Sequence, residues 1–227
     1  MILKQGLCLS RLIAMLKSLP NILTFLRLVL SVVFLVMILY SPQVENTSSF
    51  LDIAFILFVV AGLTDVVDGH VARRFNATSK FGRMIDPLVD KVLVCGTFIC
   101  FAIIGEPKLF SLSPVQLAVI HWVVVAILLA REITVTVLRH LAEARGVNFA
   151  ATASGKIKML LQTFAIGTVV IKMAHVPDKA WGYWFTTITF VAMVVATVVS
   201  GVCATRRSTS PQQHAEAKPR QSSSLSA

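Results

Sequence analysis

Between Thr64 and Lys91 the chain reads TDVVDGHVARRFNATSKFGRMIDPLVDK, and four aspartates stand out in it: Asp65, Asp68, Asp86 and Asp90. The first two are three residues apart and the last two are four apart. On a helix, either spacing puts both side chains on one face. Carboxylates at the ends of apolar helices are costly, and four brought together repel one another unless a cation neutralises them. An all-oxygen donor set suits a hard ion, Mg²⁺ or Mn²⁺, rather than zinc, and four carboxylates could hold two such ions. A two-metal site clamps the attacking and leaving oxygens of a phosphoryl displacement. The bland alternative is a set of ion pairs with Arg73, Arg74, Arg83 and Lys91. It accounts for any one aspartate, but poorly for four at helical spacing interleaved with Gly69 and Gly82. Glycine lets backbone approach a ligand closely, and Arg73 is placed to grip a phosphate oxygen.

The elements that would carry this cluster are apolar helices. Of the 227 residues, 56% are hydrophobic and only 14% charged, with a mean hydropathy of +0.79. A soluble domain carries about 25% charged residues, so a soluble enzyme is excluded, and disorder is excluded for most of the chain. The composition predicts an all-α polytopic membrane protein with six transmembrane helices. These run from about Ile22 to Tyr40, Phe50 to Arg74, Met84 to Ile104, Val115 to Arg139, Lys156 to Ala174 and Trp181 to Thr205. Every second connection is basic: the amino-terminal segment, the connection around Arg73–Arg83, that around Arg139–Lys156, and the tail from Arg206. Both termini are therefore expected on the cytoplasmic side of the inner membrane. The net charge of +10 is read as attraction to anionic lipid, not nucleic acid. The expected organisation is an amphipathic juxtamembrane segment over 1–19, with Leu7 to Leu19 lying on the inner surface, a membrane domain over 20–205 and a disordered cytoplasmic tail over 206–227. The four cysteines, Cys8, Cys95, Cys100 and Cys203, are expected to be buried small hydrophobes.

At this point the sequence resembles the CDP-alcohol phosphatidyltransferases. Their signature is D-x2-D-G-x2-A-R-x8-G-x3-D-x3-D. Here it is met at every position by Asp65, Asp68, Gly69, Ala72, Arg73, Gly82, Asp86 and Asp90. Pro20 to Arg27, PNILTFLR, looks like the P-N-x-x-T-x-x-R entry to the family's first span. The resemblance covers roughly Pro20 to Ala204. It implies that Asp65, Asp68 and Asp86 hold metal, and that Asp90 both touches metal and acts as general base. It further implies a CDP-linked lipid donor, CDP-diacylglycerol, lying against Asp68, Gly69, Ala72 and Gly82. Arg73 would hold the pyrophosphate, with Asn21 and Thr24 near the nucleotide. A homodimer in the bilayer with its active site facing the cytoplasm is implied as well.

Members of the family differ in the acceptor alcohol. Ala130-Arg131-Glu132-Ile133, Arg139 and Ser154-Gly155-Lys156-Ile157-Lys158 with Gln162 look like the A-R-E-I, L-R and G-K-x-K-x-x-x-Q elements of the branch that uses a glycerol phosphate. Arg131, Arg139, Lys156 and Lys158 are thus expected to form a cationic pocket for the phosphate of sn-glycerol 3-phosphate. Glu132 could hold one of the arginines. Ordinary positive-inside flanking is the competing account of the two lysines. Other acceptors (phosphatidylglycerol, an inositol phosphate, serine) keep the same aspartate chemistry. A divalent-cation transporter would instead need its carboxylates near the midplane, reachable from both sides. No H-x-K-x4-D pattern surrounds any of the five histidines, and His121, within an apolar span, is expected to be a packed core residue.

Overall fold

The computed structural model describes residues 22–75, 80–109, 112–144, 153–177 and 179–208. Over 65–75 and 80–87, and at 143, 153, 154, 156, 207 and 208, only the backbone is described. The amphipathic segment expected over 1–19, Asn21, and the tail over 209–227 lie outside the described residues. The described chain is helical throughout, with no strand. Helix α1 covers 22–40 and ends in a 3-10 turn, Ser41–Gln43. It is followed by α2 (Thr47–Phe75), α3 (Lys80–Ile104), α4 (Pro114–Ala144), α5 (Ala153–His175) and α6 (Ala180–Ser208). The last helix runs three residues beyond the span expected from hydropathy, so Arg206, Arg207 and Ser208 continue α6 instead of opening the tail. Among the described residues, five helices are long and apolar enough to cross a bilayer: Ile22–Gln43 and stretches of α2, α4, α5 and α6.

On α1 and α6, burial follows the character of one stripe. On α1, Thr24, Arg27, Ser31, Phe34, Ile38 and Ser41 are buried. On α6 the stripe is Thr186, Thr189, Met193, Thr197, Ser200 and Ala204. The 3–4 spacing marks one helical face. These stripes are richer in small and polar residues than the opposite faces, where Val, Ile, Leu and Phe are exposed. That inversion is expected when the surrounding solvent is hydrocarbon, because small residues let helices approach and polar groups must find partners inside. Some of the hydroxyls are satisfied within their own helix: Ser31 donates to the Arg27 carbonyl at 2.7 Å, and Thr197 to the Met193 carbonyl at 2.8 Å.

The helices close into a ring. α2 packs on α5, α5 on α6, α6 on α4 and α4 on α3. α1 completes it between α2 and α3: the Phe34 and Phe58 rings lie 5.2 Å apart, and the Cys100 thiol reaches the Leu35 carbonyl at 3.8 Å. Gly96 makes the α1–α3 approach close, since a Cβ there would meet Leu35 Cδ1 at 2.8 Å. α3 also touches α5 across the ring. The non-basic end is tied by Ser48 donating to the Ala174 carbonyl at 2.7 Å and by His175 Nε2 facing Asp52 Oδ1 at 2.8 Å. Tyr40, Trp181 and Trp184 are exposed at this same end, as residues of a membrane–water interface are. His121 is buried there as expected, with Nε2 3.1 Å from the Pro107 carbonyl. The cysteines divide: Cys100 is buried, Cys95 partly so, and Cys203 is exposed on α6. The expectation of burial fails for Cys203 because an apolar run in a membrane helix has a lipid side as well as a core side.

Candidate active site

Two antiparallel helices position the aspartates. Asp65 and Asp68 stand on α2, ten and seven residues before its end, and Asp86 and Asp90 on α3, six and ten residues after its start. At the helical rise per residue, the first pair stands ~10–15 Å along α2 from its end and the second ~9–15 Å along α3 from its start. The side chains of Asp65, Asp68 and Asp86, and the surroundings of Gly69, Ala72, Arg73 and Gly82, lie outside the described residues.

Asp90 is described in full, and its neighbour is Arg27, the last residue of the PNILTFLR element, to which the sequence assigned no partner. Arg27 Nη2 on α1 pairs with Asp90 Oδ1. The arginine side chain is 1% exposed and the aspartate side chain 36%. An arginine within an apolar span must find a partner among the other helices, and the α1 stripe turns it toward α3. Thr24 is buried one turn earlier on the same stripe. Asp90 therefore has one side held against a guanidinium and another open to a cavity, which Arg27 and Asp90 both line. As donors the four aspartates suit a hard divalent ion. No three acidic, His or Cys side chains converge among the described residues, and three of the four aspartate side chains stand outside that set.

The second polar cluster joins four helices. Lys158 on α5 pairs with Glu132 Oε1 on α4, and Arg131 Nη1 donates to the same oxygen at 3.0 Å. Arg131 Nη2 donates to Ser200 Oγ on α6 at 2.6 Å. Gly201 leaves room for this reach, since a Cβ there would come within 3.2 Å of Arg131 Cγ. Lys91 on α3 donates to Thr136 Oγ1 at 2.5 Å, and Thr136 in turn to the Glu132 carbonyl at 2.6 Å. Gln162 is buried one turn beyond Lys158. The structure thus brings Arg131 and Lys158 together through Glu132. Arg139 stands exposed, about two turns nearer the basic end of α4. Lys156 lies on α5 with its side chain outside the described residues.

From Asp90 a cavity of about 920 Å³ runs between α2 and α5 to Lys172 and Gly182. Its lining is almost wholly apolar. It includes Leu63, Leu160 and Phe164, which are exposed on the side of the bundle. The carboxylate chemistry therefore opens laterally onto what would be membrane hydrocarbon.

A helical membrane bundle with this aspartate register on α2 and α3 defines a class. The chain belongs to the CDP-alcohol phosphatidyltransferases, whose sequence model matches residues 17–204. It is 32% identical over 189 residues to the probable phosphatidylglycerophosphate synthase of Mycobacterium tuberculosis, covering 83% of this chain and 80% of that one. It is also 32% identical over 192 residues to the CDP-diacylglycerol–glycerol-3-phosphate 3-phosphatidyltransferase of Bacillus subtilis, covering 81% of this chain and 91% of that one. A protein of the same name from Escherichia coli is 32% identical over 155 residues, covering 66% and 74%.

Proposed function

We propose that this chain transfers the phosphatidyl group of CDP-diacylglycerol to sn-glycerol 3-phosphate, giving phosphatidylglycerophosphate and CMP. The observation that carries the reading is Asp90, partly exposed at the head of a lipid-facing apolar cavity beside buried Arg27. The relatives named for this same reaction support the acceptor. The chain crosses the inner membrane six times, with both termini and the aspartates on the cytoplasmic side. The alternation of basic connections and the aromatic residues at the opposite end support that orientation. The working unit is a homodimer, as the family resemblance implies.

In this reading Asp65, Asp68, Asp86 and Asp90 hold two divalent ions, Mg²⁺ or Mn²⁺. Such ions neutralise charge on phosphoryl oxygens when bound. Asn21, Thr24, Gly69, Ala72, Arg73 and Gly82 line the nucleotide end of the donor. Arg131, Arg139, Lys156 and Lys158 orient the acceptor phosphate. The acceptor hydroxyl oxygen bonds to the β-phosphorus, its proton passes to Asp90, and the bond from that phosphorus to the CMP oxygen breaks. The lipid product stays in the inner leaflet.

The test is CMP release by the purified protein with CDP-diacylglycerol, Mg²⁺ or Mn²⁺, and each acceptor alcohol supplied separately. Release is expected with glycerol 3-phosphate alone. Release only with another alcohol overturns the acceptor, and release with none overturns the transferase. Substituting Lys156→Ala together with Lys158→Ala is expected to raise the KM for glycerol 3-phosphate by roughly tenfold or more, the value of one lost charge-assisted hydrogen bond. The donor KM should change little. An effect confined to the donor would remove both lysines from the acceptor pocket.

A further inference from the structure

Lys91 follows Asp90 on α3, and the two side chains take different partners. Asp90 pairs with Arg27 on α1. Lys91 reaches α4, where its Nζ donates to Thr136 Oγ1 at 2.5 Å. That hydroxyl is fixed in turn, since it donates to the Glu132 carbonyl at 2.6 Å. The sequence offers Lys91 as an ion-pair partner for an aspartate. Among the described residues no carboxylate pairs with it, and its partner is this one hydroxyl. A part-buried ammonium in an apolar bundle is costly without a counter-charge. No acidic residue stands three or four positions away on α3 to supply one, the spacings at which helical neighbours meet.

The place that Lys91 occupies adjoins the second polar cluster. Glu132, Thr136 and Arg139 follow one another along α4 at spacings of four and three, which puts them on one face. Lys91 thus stands in the gap between the Arg131–Glu132–Lys158 trio and exposed Arg139. One turn further along α3, the Cys95 thiol has Glu132, Lys158 and Lys91 as charged neighbours. Arg131 and Lys158 share the Glu132 carboxylate, which leaves the trio one net positive charge. Lys91 adds a second and brings no carboxylate of its own.

We infer that Lys91 is a ligand of the acceptor's phosphate and sets the place of that phosphate relative to the general base. The inference rests on the transferase reading above. With Lys91 the cluster carries the net charge that a phosphate dianion balances, and hydrogen bonds between ionised partners are the strong ones. Asp90 and Lys91 are successive residues, with Cα atoms about 3.8 Å apart. A single turn of α3 therefore holds both the base and a cation of the acceptor site. The two ends of the acceptor, phosphate and reacting hydroxyl, are referenced to one rigid element, while Arg131 and Lys158 reach in from α4 and α5.

The experiment measures KM for glycerol 3-phosphate and for CDP-diacylglycerol in the full-length parent and in Lys91→Gln, Lys91→Arg and Thr136→Val. Tm is read for each with and without glycerol 3-phosphate. The glutamine amide can still donate to Thr136, so Lys91→Gln loses the charge and keeps a bond between α3 and α4. Thr136→Val does the reverse. Lys91→Gln is expected to raise the acceptor KM by roughly tenfold or more, the value of one lost charge-assisted hydrogen bond. Its donor KM should change little, and glycerol 3-phosphate should raise its Tm less than it raises that of the parent. Lys91→Arg should bring the acceptor KM back toward the parent's. Thr136→Val should lower Tm and raise the acceptor KM less than Lys91→Gln does. An unchanged acceptor KM in Lys91→Gln, equal rises in both KM values, no rescue by arginine, or an equal effect of Thr136→Val overturns the inference and leaves Lys91 as a tie between two helices. Equal Tm shifts with glycerol 3-phosphate in Lys91→Gln and the parent overturn it as well. CMP release by the parent separates these failures from failure of the transferase reading: no release with glycerol 3-phosphate overturns that reading and this inference with it.

Discussion

Asp90→Asn is expected to lower CMP release by a factor of ~10²–10⁴, the range that a positioned general base contributes. The amide keeps the shape of the carboxylate but cannot take the acceptor's proton. The structure complicates this test in a useful way, because Asp90 is also the partner of buried Arg27. Removing one charge from a buried pair leaves the other uncompensated, at a cost of ~3–5 kcal/mol. A simple loss of activity would then be compatible with loss of fold. The double variant Arg27→Gln with Asp90→Asn separates the two effects. With both charges gone, Tm should return toward that of the parent, while turnover should remain at the level of Asp90→Asn. Near-parental turnover in Asp90→Asn would sink the general-base assignment. Recovery of turnover along with Tm in the double variant would make Asp90 a structural partner of Arg27 only.

That pairing marks a limit of what could be read from the chain. The helices were legible because each apolar run is long and each connection is polar, and the observed elements fall within a few residues of the expected spans. The aspartate register was legible because helical spacing is local. Arg27 joins Asp90 across 63 positions of sequence, and no local pattern names that partner. A signal was present nonetheless: one arginine inside the 22–40 run, which hydrocarbon does not tolerate alone. Lys172 sends the same signal near the end of α5, and it too is buried. The groove was hidden for a different reason. Its walls, α2 and α5, are separated by two helices in the chain and become neighbours only through the ring. Arg131 was read as an acceptor ligand, and its second partner, Ser200 on α6, depends on the room left by Gly201. The side chains of Asp65, Asp68 and Asp86 and of Lys156 stand outside the described residues, so their proposed roles rest on register and resemblance.

Glu132→Gln tests the other polar cluster, and its expected effect runs in two directions. One carboxylate oxygen of Glu132 is shared by Arg131 and Lys158, whose side chains are only 11% and 10% exposed. Without that charge two cations face each other in a confined space, and α4, α5 and α6 lose their common tie. Breaking such a buried arrangement costs ~3–5 kcal/mol, which should lower Tm by roughly 10 °C in a chain of this size. The same substitution raises the local charge from one net positive to two. If the cluster receives the acceptor phosphate, the dianion replaces the missing carboxylate. Glycerol 3-phosphate should then raise Tm more in Glu132→Gln than in the parent, since a ligand that binds only the folded state stabilises it more the tighter it binds. Glycerol without the phosphate should do neither. Equal shifts in the two proteins would leave the three residues as a structural tie between helices and move the acceptor phosphate elsewhere. A larger shift in the variant would mean that Glu132 and the phosphate compete for the same cations. The resting pocket would then be one in which a carboxylate holds the place of the substrate, keeping two buried cations tolerable until the acceptor arrives.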